Sequence, residues 1–232
     1  MIKPHLEAIK IEYAKRATRI DPKWYSIIEG DVLARLHEKQ KVILSELKNL
    51  GFESFDNTKL LEIGCGNGGN LQDFIRFGFL PKNIYGNDLI EERIKCARAL
   101  LPAETKLHTG NACDIDLAEN TIDIVYQSMV LSSILDDSLR ENVCAKSWSL
   151  VKPGGIMVSY DFVYNNPYNK KVRKVTKGDL LKNFPGAKSM IFKRVTLAPP
   201  ISRKLCRGSY FLYSIFNLLP ILRSHLIMIA QK

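Results

Sequence analysis

The chain has 232 residues, which is long enough for one sizeable hydrophobic core and excludes a minimal disulfide- or metal-held scaffold. Its formal net charge is +10, but the charge is uneven: residues 162–232 carry +13 and residues 1–161 carry −3. Such asymmetry predicts an anionic partner for the carboxyl-terminal part, whether a phosphorylated or nucleotide-linked substrate, nucleic acid or an anionic membrane surface. A solvated basic face also fits.

The amino-terminal residues and the cysteines indicate the compartment. Residues 1–13 are charged and lack an apolar run, so we expect no signal peptide. The five cysteines show neither a C-x-x-C pair nor a regular spacing. This predicts reduced thiols in a cytoplasmic protein and no metal site.

The leading segment, residues 1–58, is predicted to be helical. Residues 11–25 mix aromatic and basic side chains, which fits a surface helix. Residues 31–50 carry apolar side chains at 32, 33, 36, 43, 47 and 50, the stripe of a helix packed on one face, and Gly51 ends it.

A glycine cluster follows the next apolar run. Residues 59–69 read KLLEIGCGNGG, which predicts a buried strand and a tight turn that opens a helix. Gly64 and Gly66 would let a ligand approach the main chain, where the free amides of the helix face it. Gly64, Gly66 and Gly69 also satisfy the dinucleotide fingerprint G-x-G-x-x-G, and a purely structural turn is a further explanation.

Four more strands are predicted downstream. The second ends at Asp88, the third precedes Gly110-Asn111-Ala112, the fourth covers residues 122–127, and the fifth covers residues 156–160 after a Lys-Pro-Gly-Gly turn. Helices are expected at residues 89–101, 138–151 and 177–184. An acidic residue about 20 positions beyond the glycines suits two hydrogen bonds to ribose hydroxyls, and it also suits the start of a helix.

Glu62 distinguishes between the possible interpretations of the glycine cluster. It completes E-x-G-x-G-x-G, and with Asp88, Gly110-Asn111-Ala112, the fourth strand and the KPGG turn it stands in one family's order. Over residues 59–161 the chain therefore resembles class I S-adenosylmethionine-dependent methyltransferases. A nicotinamide-dependent oxidoreductase stays as an alternative.

The resemblance implies a fold and a cofactor site. The fold is an α/β, Rossmann-like three-layer sandwich with a seven-stranded, mostly parallel sheet and an antiparallel last strand. The cofactor is S-adenosylmethionine, with Asn111 at the adenine edge where the family often has aspartate. The implied cofactor residues are Glu62, Gly64, Cys65, Gly66, Asp88, Leu89, Asn111, Ala112 and Gln127.

The resemblance also divides the chain. Residues 1–58 become a lid and helical segment over the cofactor, and residues 59–232 the methyltransferase domain. Residues 188–197 and 224–230 are predicted strands. The apolar stretch between them is too short for a membrane span and is expected as an insertion at about 201–222. It is either a core or lid helix, or a surface that docks on a lipid or a partner protein.

The acceptor site is inferred from the strand ends, where ligands bind in open α/β sheets. Asp161 is the candidate general base and Tyr160 an orienting group. Tyr13, Asn165, Asn166 and Arg173 are candidate substrate residues. The loop after strand four has Gln127-Ser128-Met129-Val130 and lacks the N/D-P-P-Y motif of amino-methylating nucleic-acid enzymes.

Three stretches extend the resemblance: VYQSMVLSSILDD, YDFVYNNPYN, and KRVTLAPP with the late SHLIMIAQK. They are similar to a bacterial group that accompanies surface-polysaccharide biosynthesis. This implies O-methylation of a sugar, or of a nucleotide- or lipid-linked saccharide. RNA or other nucleic acid is the alternative acceptor, and peripheral contact with the inner face of the membrane is compatible with the basic third.

Overall fold

A computed structural model describes residues 3–19, 21–166, 169–206 and 209–232. Within these ranges eight α-helices and seven strands alternate along the chain. The helices are α1 (Lys3–Arg19), α2 (Gly30–Asn49), α3 (Gly69–Arg76), α4 (Glu91–Leu100), α5 (Asp137–Leu150), α6 (Lys177–Asn183), α7 (Pro199–Leu205) and α8 (Tyr210–Asn217). The strands are β1 (Leu60–Ile63), β2 (Ile84–Asp88), β3 (Lys106–Thr109), β4 (Ile122–Ser128), β5 (Val151–Phe162), β6 (Ser189–Leu197) and β7 (Arg223–Gln231).

The strands form one sheet in the order β3-β2-β1-β4-β5-β7-β6. Neighbours pair in parallel except at β7, which runs antiparallel to both β5 and β6. This confirms the Rossmann-like fold class with its antiparallel last strand. The order reverses between β1 and β4, so the carboxyl ends of these strands border the crevice where open α/β sheets bind ligands.

Alternate residues of each strand supply two cores. Leu60, Tyr126 and Val158 pack with α2, α3 and α4 on one face of the sheet. Leu61, Val125 and Met157 pack with α5 and α6 on the other face. Because both faces of the central strands are buried, the near-continuous apolar runs in the sequence are accounted for.

The Lys-Pro-Gly-Gly turn differs from its prediction. The structure has one strand from Val151 to Phe162, and the pairing with β4 shifts between Ile122 and Ile124. Gly154 has φ of +80°. The four residues are therefore an irregularity within β5 rather than a turn that precedes it.

The carboxyl-terminal part inserts helices between the last two strands. Helices α7 and α8 and a 3-10 turn, Pro220–Leu222, lie between β6 and β7. Glu38 of α2 holds this insertion, because its carboxylate accepts hydrogen bonds from Thr196 N (3.0 Å), Tyr213 Oη (2.8 Å) and Asn217 Nδ2 (2.7 Å). In the described part of the chain, no helix is long and apolar enough to cross a membrane.

Candidate functional site

A cavity of about 530 Å³ lies at the carboxyl ends of β1, β2 and β4, beneath α1. This is the volume range of small-molecule sites. The described residues that line it all lie between positions 6 and 143, so none comes from the part of the chain that follows α5. The crevice predicted by the strand order thus coincides with a partly open cavity that α1 helps to cover.

The glycine loop forms one wall of this cavity. Gly64 has φ of +69°, and a Cβ there would lie 2.6 Å from Val130 Cγ2. Gly66 has φ of +56°, and its amide donates to Asp88 Oδ2 at 2.8 Å. The loop needs glycine at both positions, because an L side chain would be strained at these φ values and at Gly64 would also collide with Val130.

Asp88 connects the loop to the start of the next helix. Its other oxygen, Oδ1, accepts from Ile90 N at 2.9 Å, and the residue is 5% exposed at the cavity wall. Each carboxylate oxygen has a second lone pair and can accept a further bond. The structure thus shows the local role of Asp88, and its bonds to ribose stay a prediction.

The predicted adenine segment also reaches the cavity. Leu89, Asn111 and Ala112 line it, together with apolar side chains of α5. The side chain of Asn111 is engaged locally: Oδ1 accepts from Cys113 N at 3.2 Å, and Nδ2 donates to Asp114 Oδ2 at 3.3 Å. An apolar slot of this kind suits a flat aromatic base, while recognition of its edge by Asn111 stays a prediction.

Glu62 lies behind the loop in a buried polar chain that includes two residues the sequence analysis missed. Asn70 Nδ2 donates to Glu62 Oε1 and Lys39 Nζ donates to Asn70 Oδ1, both at 2.6 Å. Glu62 Oε2 has no partner among the described residues. Burial raises the pKa of Glu62 and lowers the pKa of Lys39. Position 39 continues the apolar stripe of α2. A lysine at a position expected to be buried could therefore have indicated a buried polar site.

Four predicted cofactor residues do not line this cavity: Glu62, Cys65, Gly66 and Gln127. Gln127 is fully buried and its Nε2 donates to Ser159 Oγ at 3.1 Å, so its side chain points along the sheet. Cys65 is buried in the core, and its amide donates to Asn87 O at 2.9 Å. The residues that follow Gln127, from Ser128 to Val130, form the wall instead.

Helix α1 covers the cavity with a group of interacting side chains. Tyr13 Oη lies 3.1 Å from Ser133 Oγ, and the guanidinium groups of Arg93 and Arg16 lie 4.2 and 4.9 Å from the centre of its ring. All four residues line the cavity, as does Tyr25. Tyr13 was predicted and Arg16 contacts it from the same helix, whereas the roles of Arg93 and Ser133 follow from contacts between segments far apart in sequence.

The predicted catalytic pair lies outside the cavity wall, so a catalytic role for these two residues stays a prediction. Successive strand residues point to opposite faces of a sheet. The hydroxyl of Tyr160 therefore lies on the α2 face, 2.8 Å from Thr196 Oγ1. Asp161 lies on the other face, where it accepts from Ser132 N at 3.1 Å and Phe162 N at 3.0 Å. Burial raises the pKa of Asp161 to about 6.

The predicted substrate residues after β5 also lie apart from the cavity wall. Asn165 Oδ1 accepts from Lys174 N at 2.9 Å. Arg173 pairs with Asp137, and its amide donates to Ser132 O at 2.9 Å. Asn166 is exposed. This loop is therefore organised by its own contacts and by α5.

Comparison with known proteins agrees with this geometry. Residues 61–159 match the model of a family described as "Methyltransferase domain". The PH0226 protein of Pyrococcus horikoshii has the same fold, with a TM-score of 0.63 at 13% identity over 93% of this chain and 98% of that one. A phosphoethanolamine N-methyltransferase of Haemonchus contortus superposes with a TM-score of 0.60 at 16% identity, covering 82% of this chain and 51% of the other.

The curated relatives that this chain matches are considerably longer proteins. A 24-methylenesterol C-methyltransferase of Arabidopsis thaliana is 25% identical over 68% of this chain and 43% of its own length. A tRNA N(3)-cytidine methyltransferase of Bos taurus is 28% identical over 54% of this chain and 35% of its own. The chain thus spans less than half of these two relatives.

The match to a methyltransferase domain over residues 61–159, together with the shared fold, supports S-adenosylmethionine as the cofactor of this cavity. The residues fit that cofactor on structural grounds. Gly64 and Asp88 line the cavity, Gly64 in a backbone conformation that favours glycine, and behind the loop Glu62 keeps a buried oxygen without a described partner.

Proposed function

We propose that this protein transfers the methyl group of S-adenosylmethionine to a hydroxyl of a saccharide, in free, nucleotide-linked or lipid-linked form. The observation that carries the proposal is the composition of the cavity. One end is formed by the glycine loop and Asp88; α1 contributes Tyr13 and Arg16 to the same space, and the turn after β4 contributes Ser133. Hydroxyl groups bind sugar hydroxyls, and a guanidinium binds a phosphate.

On this proposal the donor end is formed by residues 62–69, Asp88 and the apolar slot at Leu89 and Ala112. The bound cofactor supplies an activated methyl group on a sulfonium. The chain's own residues fix the loop through the hydrogen bond from Gly66 N to Asp88 and exclude water by placing α1 over the cavity. Alignment and exclusion of water are the main contributions that a transferase of this kind has to make.

At the acceptor end, the hydroxyl groups of Tyr13 and Ser133 lie 3.1 Å apart in the cavity wall. Either hydroxyl can donate or accept, so the pair can turn a bound hydroxyl towards the donor. Arg16 is partly held by Glu12, whose Oε1 accepts from Arg16 Nε at 3.2 Å. The positive charge of Arg16 favours an acceptor that carries phosphate. We further propose that residues 1–58 act as the lid of this site, in a cytoplasmic enzyme of polysaccharide biosynthesis.

The experiment is a transfer assay with labelled methyl donor. The purified protein is offered nucleotide sugars, lipid-linked saccharides and unmodified tRNA in parallel, and product mass and label are measured. Label in a saccharide at oxygen supports the proposal. The matched control is Gly69→Ala, where a Cβ would meet nothing within 4 Å and which should keep activity, against Gly64→Ala, which should lose it.

A nucleic-acid acceptor is the second candidate. It is favoured by the net +13 of residues 162–232 and by the relative that acts on tRNA cytidine. Label in tRNA with none in any saccharide would replace the first proposal. An oxidoreductase is distinguished by thermal shift, because stabilisation by NAD and not by S-adenosylhomocysteine would contradict both.

A further inference from the structure

The inserted helices carry a surface that the cavity does not use. The inner face of α8 is fixed, since Tyr213 is 3% exposed and its hydroxyl donates to Glu38. Its outer side and the following turn leave Phe211, Leu218 and Ile221 exposed by 72%, 73% and 75%. Because the inner contacts hold the helix in place, these apolar side chains are presented to solvent by the fold itself.

A second exposed apolar group lies beside the same insertion. Tyr25, Ile27 and Ile28 precede α2 and are exposed by 68%, 61% and 90%. The guanidinium of Arg203 on α7 lies 4.1 Å from the centre of the Trp24 ring, which ties this segment to the insertion. Tyr25 also lines the cavity, so this segment links the insertion to the opening of the site. Clustered exposed apolar side chains on a folded chain mark interaction surfaces.

The charge around these groups selects the partner. Between positions 162 and 232 the sequence has 14 basic residues and one acidic residue, Asp179. Lys204 is exposed and Arg203 half-buried beside the apolar groups. Asp21 and Glu29 line the cleft against α7, so the attraction comes from the insertion rather than from the segment before α2. A second copy of the chain would bring like charge to like charge, whereas an anionic lipid surface would be attracted.

We propose that α7, α8 and residues 24–28 form an interfacial docking surface for an anionic lipid bilayer. Exposed aromatic and aliphatic side chains enter the headgroup boundary, and the basic residues beside them contact the lipid phosphates. The opening of the cavity at Tyr25 then faces the membrane. Docking does not depend on the identity of the acceptor. It would place the site beside any acceptor that is held in the bilayer.

The test uses the full chain and lipid vesicles. Co-sedimentation is measured with vesicles of phosphatidylcholine alone and with vesicles that also contain phosphatidylglycerol. We expect binding to the anionic vesicles that weakens in high salt, and little binding to the neutral ones. The double substitution F211S/I221S should weaken binding at least about tenfold, because two large apolar side chains no longer enter the interface.

Two matched controls keep the result specific. L100S/L181S removes two other exposed leucines, 56% and 49% exposed, and should bind vesicles like the parent. K204E should weaken binding about fivefold, as expected for a basic residue near an anionic surface, while K82E on the far end of the sheet should not. Thermal unfolding confirms that each variant is folded.

Three results would overturn the proposal. The first is no binding of the parent to anionic vesicles. The second is equal binding of F211S/I221S and L100S/L181S. The third is concentration-dependent dimerisation that F211S/I221S abolishes, because the surface would then be an interface between copies of the chain. Loss of methyl transfer alone would bear on the proposed function and not on docking.

Discussion

The two ends of the sheet differ in what their side chains do. At the end that contains β2, β1 and β4, loop residues turn into a cavity and use backbone amides and local carboxylates to shape it. At the end that contains β5, β7 and β6, polar side chains are turned inward and bonded to one another, and apolar side chains are left outside. One end is built to receive a small ligand, and the other combines a rigid buried network with an exposed surface.

The largest expected effect is on the stability of the fold and not on cofactor binding. It comes from the protonation of His225. The ring stacks on Tyr160 at 4.7 Å, contacts Phe162 at 4.4 Å and pairs with Ser224 Oγ at 2.9 Å. Burial, with Arg35 and Lys39 nearby, lowers its pKa to about 3 from 6.5. The neutral ring is therefore favoured in the folded state, and its contribution to stability is complete above pH 6.5 and lost as pH falls towards 3.

The shift sets an upper bound of about 5 kcal/mol on that loss, at about 1.36 kcal/mol per pKa unit. His225→Phe keeps the stacking and cannot be protonated, so its unfolding free energy should fall less between pH 6.5 and 3. Urea unfolding at a series of pH values measures this, and His37→Phe on the exposed side of α2 is the control. Parallel pH profiles of parent and His225→Phe would contradict it. Cofactor affinity should not change.

The next effect addresses the cavity end. Gly64→Ala places a Cβ 2.6 Å from Val130 at a φ of +69°. We expect cofactor binding to weaken by about 2–3 kcal/mol, the cost of a strained residue. Calorimetric titration with S-adenosylhomocysteine measures it, and Gly69→Ala is the matched control. If both variants bind equally well, the loop does not form the cofactor site.

Asp88→Ala tests the contact between loop and helix. It removes the acceptor of Gly66 N and of Ile90 N, and with them the carboxylate proposed for the ribose. Affinity for S-adenosylhomocysteine should fall by about 1.5–3 kcal/mol, as for hydrogen bonds to a charged group. Comparison with adenine alone sharpens the result, because unchanged affinity for adenine would assign the loss to the ribose end.

The smallest expected effect concerns the cover of the cavity. Tyr13→Phe removes the hydroxyl beside Ser133 and keeps the ring that Arg93 and Arg16 contact. Attachment of α1 should weaken by about 0.5–1.5 kcal/mol, which hydrogen exchange of the α1 amides reports. Ser133→Ala should give the same change without adding to it in the double variant. Additive changes would mean that the two hydroxyls act independently.

The sequence predicted the parts of the site whose geometry is local. A strand, a glycine turn and a helix follow one another within a few residues, so the loop at Gly64 and the position of Asp88 could be placed from spacing. The catalytic pair stays a prediction: Tyr160 and Asp161 are neighbours on a strand, so their side chains point to opposite faces of the sheet. The pairing of Tyr13 with Ser133, and of Glu38 with Thr196 and Tyr213, joins residues more than 100 positions apart. No periodicity reports such contacts.

The attachment of α1 has a consequence for turnover. The helix has 17 residues, and its inner side is held by the hydrogen bond between Tyr13 and Ser133, the Arg93 guanidinium on the Tyr13 ring, the contact of His5 Nε2 with Asp136 Oδ2 at 3.4 Å and a few apolar side chains. Contacts of this number open on a microsecond to millisecond scale in other proteins. On the proposed function, we therefore expect the demethylated cofactor to leave only after α1 has moved off the cavity, so that product release rather than methyl transfer limits the rate of turnover.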